Sequence, residues 1–293
     1  MTEQPTVVIK RKKPAPIVLP EMNKVHQVDV LEFARRLPDN SAQIIIADPP
    51  YNIGKDFGNK SDQQTWEDYL KWCDAWIKEC LRVLRDDGQM FIYGYSEHLA
   101  YILTRIDPCV HRRWLVWHYI NKNSANNTFW QRSHESILCL WKRTKVFHCD
   151  AIREPYSETF IKHAAGKPRK PTEGRFSNGT KETVYNAHAN GALPRDVIKV
   201  PALAGGAGKK ERVNHPTQKP IALGQKLLAS CRQDSGFVFV PFAGSGSECV
   251  AALSMKLPFL GCEINPDYIK LCEMRLAAPE KEEVEEKEKE EEA

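Results

Sequence analysis

Residues 236–263, GFVFVPFAGSGSECVAALSMKLPFLGCE, decide the fold. The apolar run 236–242 reads as a strand, 243–247 (AGSGS) as a tight turn, 248–255 as a helix and 258–263 as a second strand. So short a strand–helix–strand span is a βαβ unit, whose two strands must run parallel. Downstream, 266–276 continue as a helix. Upstream, HPTQKPIALGQKLLASC (215–231) opens on a proline-containing cap and runs on as an amphipathic helix. Further back, AQIIIA (42–47) is a β-branched run of the kind covered on both faces, and it stops at Asp48-Pro49-Pro50-Tyr51 because two prolines cannot continue a central strand. Before it, residues 24–40 hold a short strand and then a helix with Leu31, Phe33, Ala34 and Leu37 at helical spacing. After it, 66–84 form a helix closed by Asp86-Asp87-Gly88, 89–95 a strand, and 114–120 and 136–141 two more. Strands alternating with helices predict an α/β fold with a doubly wound, mostly parallel sheet.

At 293 residues and 33.5 kDa the chain suits one large domain carrying an insert. Residues 1–23, with Lys10 to Lys13 all basic and four prolines, read as an arm. Residues 24–148 and 213–278 are the two parts of the domain, and in 149–212 periodicity fades while Gly, Pro, Asn and Lys accumulate. The tail, 279–293, is acidic. From Glu280 on it holds nine Glu and three Lys, so the formal +4 of the chain hides about +10 on the rest, which suits a polyanionic partner. No apolar run approaches the roughly 20 residues of a membrane span and no apolar signal core follows the first charges, so a soluble, cytoplasmic protein without membrane contact is expected. Nine cysteines, none at CxxC spacing, predict reduced thiols and no metal; His111 and His118, seven apart with no third ligand at hand, do not change that.

In an open α/β sheet ligands bind beyond the carboxyl ends of the strands, where two unusual turns fall. In Phe242-Ala243-Gly244-Ser245-Gly246-Ser247, glycines admit close backbone approach and a helix N-terminus follows. No Lys-Ser/Thr follows, which excludes a nucleoside-triphosphate loop, and GGAGKK (205–210) fails that spacing too. Glu263 ends the next strand, where an acid can hold ribose hydroxyls, so a nucleoside-containing cofactor fits both features. The other turn, Asp48-Pro49-Pro50-Tyr51, has a readable chemistry. An exocyclic amine on a base is a poor nucleophile because its lone pair is delocalised into the ring. Asp48 and the Pro49 carbonyl, accepting its two N–H groups, would favour the pyramidal nitrogen that forms during attack. Pro49 and Pro50 fix the carbonyl's direction, and Tyr51 offers a flat face to an extruded base.

DPPY (48–51), HPTQKP (215–220) and FAGSG (242–246), in this order, resemble motifs IV, X and I of the β group of S-adenosylmethionine-dependent DNA amino-methyltransferases. The likeness extends through 83–94 and 261–276. It implies a Rossmann-like methyltransferase sheet with 149–212 as an inserted target-recognition region. Phe242, Ala243, Gly244, Ser245 and Gly246 would then hold the methionine part of S-adenosylmethionine, Glu263 its ribose and Asp29 its adenine. Thr217, Gln218 and Lys219 would approach its carboxylate. Asp48 would hold the acceptor amine, and no metal is needed. Asp at 48 leans towards adenine N6, with cytosine N4 as the alternative acceptor and a catalytically silent DNA-binding module as the alternative class.

Three departures stand out. Val240 replaces an Asp of many members, Ser247 a Thr and Val28 a Gly, and the first removes an acceptor for the cofactor ammonium, which leaves Asp48 or backbone carbonyls to serve as cofactor contacts there. For DNA, residues 105–145 carry eight Lys/Arg against two acids and 149–212 twelve against seven, with Arg169 and Arg175 as candidate contacts. His134-Glu135 reads as positioning a strand rather than as an acid–base pair. Members of the group often pair, so a homodimer is an expectation.

Overall fold

A computed structural model describes residues 19–58, 62–119, 121, 128–170, 173–174, 177–178 and 182–277. Most of the basic arm, the acidic tail and Arg175 lie outside these. Eight strands form one sheet, its central members apolar: β1 (Lys24–Gln27), β2 (Ala42–Ala47), β3 (Leu84–Gly94), β4 (His111–His118), β5 (His134–Trp141), β6 (Val197–Lys199), β7 (Phe237–Val240) and β8 (Phe259–Glu263). Their order is β1-β8-β7-β2-β3-β5-β4-β6. Only β5 runs antiparallel to its neighbours β3 and β4.

Helices cover both faces. α1 (Val30–Arg36), α2 (Trp66–Val83) and α3 (Ser96–Arg105) lie on one, packed on Ile45, Ala47, Phe237 and Phe239. In the second half of the chain come the short α4 (Glu158–His163), then α5 (Ile221–Cys231), α6 (Ser247–Ser254) and α7 (Pro266–Leu276). The last three pack on Ile44, Ile46, Val238 and Val240. Successive residues of β2 and β7 thus feed opposite cores, which is why β7 is apolar throughout and β2 at every position but the buried Gln43. The sheet is the doubly wound, mostly parallel one expected, with the chain leaving β2 for α2 on one face and β7 for α6 on the other. Because β2 and β7 are hydrogen-bonded neighbours, with Phe239 opposite Ile45, a crevice opens beyond their carboxyl ends.

Some local features differ from expectation. Residues 86–88 lie inside β3 instead of forming a turn. Pairing jumps from Ala42 opposite Leu84 to Ile44 opposite Gln89, so 85–88 bulge without breaking the strand. α3 has no counterpart in the sequence reading. It buries only Leu99 and Ile102 and its N-cap, Tyr95, makes no side-chain cap bond, which leaves little periodic signal. β4 and β5 start at His111 and His134, earlier than expected, and α5 starts only at Ile221, after Pro220. The insert holds two-residue ladders, Pro168–Arg169 with Thr183–Val184 and Glu173–Gly174 with Ser177–Asn178, before β6 returns the chain to the main sheet beside β4. Among the described residues no helix is long and apolar enough to cross a membrane.

Candidate active site

Asp48 is the first residue beyond β2, and the loop before α5 delivers Lys219 to it. The lysine Nζ lies 2.9 Å from each Asp48 carboxylate oxygen and 3.4 Å from Glu135 Oε2, with the lysine side chain only 3% exposed. Glu135 comes from the start of β5, which reaches this end of the sheet because it runs antiparallel. The Tyr51 hydroxyl completes the cluster, its single proton within reach of Asp48 Oδ1 at 2.9 Å and Glu135 Oε2 at 3.1 Å. Burial, with two carboxylates beside it, pushes the Tyr51 phenol well above its usual range, so it stays a donor. Burial raises the Asp48 carboxyl and Lys219 opposes that rise, while the two carboxylates hold the ammonium protonated against its own burial. The Pro50 carbonyl accepts from Tyr69 at 3.1 Å, which pins the turn to α2. Asp62 shapes the next few residues: its carboxylate accepts from the backbone N–H groups of Asn52, Ile53 and Lys55.

The glycine turn lies across the cleft. Gly244 and Gly246 have φ of +49° and +78°, and a Cβ on Gly244 would stand 3.0 Å from His215 Nε2. The Gly244 N–H donates to Glu263 Oε2 at 2.9 Å, and Glu263 Oε1 accepts from Ile264 and Asn265. Glu263 is therefore fixed by three backbone donors, and Oε2, which accepts only one of them, keeps acceptor capacity. Asp29 caps α1 through Oδ1, which accepts from Leu31 at 2.9 Å and Glu32 at 3.4 Å, and Oδ2 remains available. Phe242 is wedged against α2, its ring 5.1 Å from Trp76 and 5.6 Å from Trp72.

One cleft joins the two turns. Its wall includes Asp29, Asp48, Pro49, Pro50, Tyr51, Thr217, Lys219, Phe242, Ala243, Gly244, Ser245 and Glu263. Gln218 and Gly246 are not on it. The Gln218 amide donates to the Glu211 carbonyl and accepts from the Val213 N–H, bracing the loop, and Gly246 sits against Cys272 as the N-cap of α6. Lys219 lies on Asp48 and Glu135, where a carboxylate contact for a cofactor had been expected. The sequence reading missed Glu135 as a member of the cluster, Asp62, Glu248, and the ring pair His215 and Tyr268, 4.7 Å apart on the wall. Burial beside Lys219 and Arg275 lowers His215 to about 4, so its ring is neutral. Two acids on the wall (Asp29, Glu263), apolar walls from Val28, Pro241, Phe242 and Ile264, and the buried carboxyl of Glu248 suit a flat, hydroxyl-bearing, cationic ligand. Among the described residues no three His, Cys, Asp or Glu side chains group as metal ligands, and all nine cysteines are free.

The sequence model of the DNA methylase family matches residues 42–274. The DNA adenine methyltransferase YhdJ of Escherichia coli (strain K12) is 30% identical over 251 residues, 85% of this chain and 80% of YhdJ. Among solved structures, the M1.HpyAVI–SAM complex aligns with a TM-score of 0.52 at 19% identity, covering 86% of this chain and 98% of that one. PvuII DNA methyltransferase, cytosine-N4-specific, aligns at 0.60 and 14%, covering 86% and 85%. These two likenesses are of fold. A family match that runs from β2 to α7, through both turns of the cleft, together with a relative of this identity over most of both chains, makes the chain a member of the DNA methylase family.

Proposed function

We propose that the protein transfers a methyl group from S-adenosylmethionine to N6 of an adenine in a short DNA site. The observation that carries this is the shared cleft: the acceptor turn at Asp48 and the glycine turn at Gly244 follow adjacent strands and face one space. S-adenosylmethionine, when bound, supplies a methyl group on a sulfonium, and Asp29, Glu263 and the 242–245 turn are the residues to hold it. Asp48 accepts an N–H of the target amine, which turns the nitrogen lone pair away from ring conjugation. Glu135 gives Lys219 a second anchor, so Asp48 can release one oxygen to the amine without stranding a buried ammonium. Burial, which raises Asp48, also suits it to receive the proton that the methylated amine sheds. Tyr51 orients Asp48 and lines the cleft where a base turned out of the duplex would stack. The basic side chains of 105–145 and 149–212 supply phosphate contacts, and Arg169, stacked 5.6 Å over Tyr185, is a candidate among them. Homodimerisation and a cytoplasmic location belong to the same reading; light scattering of the purified protein tests the first.

Asp48→Ala is expected to abolish transfer of labelled methyl to duplex DNA while DNA affinity stays within a few-fold. Undiminished transfer would remove Asp48 from the chemistry. The acceptor is decided by digesting the methylated DNA and weighing its nucleosides, because cytosine N4 presents the same two hydrogens. DNA binding without any methylated nucleoside would favour a catalytically silent module.

A further inference from the structure

Val240 ends β7 fully buried among apolar neighbours and offers the cleft no acceptor. Glu248, the second residue of α6, lies on the cleft wall with Asp48, Gly244 and Ser245. It is only 4% exposed, and its Oε1 has no hydrogen-bond partner. A carboxylate left in this way is costly unless something bonds it. The nearby protein cations are engaged elsewhere. Lys219 is held by Asp48 and Glu135, and Arg275 donates through Nη1 to the Ser245 carbonyl at 2.6 Å and to Ser247 Oγ at 3.1 Å. The Tyr93 hydroxyl, whose proton is held more tightly by burial and then by the charge on Glu248, is also without a partner. The site therefore offers an unused anionic acceptor facing a cleft built for a cationic ligand.

We propose that Glu248 binds the α-ammonium of the cofactor's amino-acid end, the task for which Val240 leaves the strand end unequipped. This rests on the functional reading above. Of the cofactor's two cationic centres, the sulfonium has no hydrogen to donate, whereas the ammonium has three, so only the ammonium can satisfy Oε1. Burial and the charge of Asp48 raise the Glu248 carboxyl to about 7, against Lys219 and Arg275, and an arriving ammonium would pull its proton off. The groups facing it are thus Asp48, Lys219, Arg275 and Tyr93.

Calorimetry on the full-length protein tests this with three uncharged-sulfur probes: S-adenosylhomocysteine, its analogue lacking the α-amino group, and 5′-methylthioadenosine, which lacks the whole amino acid. The wild type is expected to prefer S-adenosylhomocysteine over the deaminated analogue by about 10- to 100-fold. Glu248→Gln is expected to erase that preference and leave methylthioadenosine affinity within about twofold. A variant that keeps the preference overturns the assignment. A second measurement needs no variant. At pH 6.5, in buffers of different ionisation heat, S-adenosylhomocysteine binding to the wild type should release a proton and methylthioadenosine binding should not; equal proton release by both overturns it as well. Failure of the wild type to bind either ligand would instead refute the functional reading.

Discussion

Replacing Lys219 by Met tests whether Asp48, the proposed catalytic carboxylate, depends on its buried partner. The substitution keeps the length of the stem and deletes the one cation within 2.9 Å of both Asp48 oxygens and 3.4 Å of Glu135. Asp48 and Glu135 would then share the Tyr51 hydroxyl with no positive charge between them. Stranding a buried charge in this way costs about 3–5 kcal/mol, and the folded protein limits the loss by keeping a proton on one carboxyl. The pH dependence follows. That carboxyl has a folded pKa above its unfolded value of about 4, so the folded variant binds more protons than the unfolded chain and its stability falls as pH rises. Urea unfolding of variant and wild type between pH 5 and pH 8 should show a deficit that is small at pH 5 and approaches the full cost at pH 8. Adding Asp48→Asn should recover most of it. Methyl transfer by Lys219→Met should show the opposite pH-dependence, with its loss greatest at pH 5, because a protonated Asp48 has lost an acceptor. A deficit that is below about 1 kcal/mol and flat with pH would refute the argument, since it would mean that water already screens the pair.

Two further outcomes follow from the walls of the cleft. Asp62→Asn puts an amide group against backbone donors at Asn52, Ile53 and Lys55, an expected cost of about 1–3 kcal/mol; limited proteolysis should then nick residues 52–62 faster, and S-adenosylhomocysteine affinity should drop. Phe242→Ala removes a half-buried ring packed edge-on against Trp76, an expected loss of about 2–3 kcal/mol in urea unfolding, and should weaken S-adenosylhomocysteine binding by opening the wall between α2 and the glycine turn.

What was legible in the sequence, and what was not, divides by how each residue is specified. The acceptor turn and the glycine turn could be read because their geometry is local: Pro49 and Pro50 stop a strand wherever they stand, and residues at φ of +49° and +78° call for glycine. The parallel run of β2, β7 and β8 could be read because these strands alternate with helices and are apolar apart from Gln43 and the terminal Glu263, as a sheet covered on both faces requires. The missed residues carry no such local mark. Glu135 looked like the start of a strand, and only the antiparallel run of β5 brings it 84 positions back to Tyr51. Glu248 looked like any acid in the first turn of a helix, where the dipole favours it, and nothing in 247–254 tells a solvated glutamate from one buried beside Asp48. For Lys219 the sequence suggests a cofactor carboxylate as partner; its pairing with Asp48, 171 positions away, shows only when the loop before α5 is seen against β2. The turns thus locate the chemistry, while the charge balance around Asp48 is set by strand order. A relative could keep every motif and still hold its catalytic acid in another protonation state, merely by changing residues at the positions of Glu135 and Glu248.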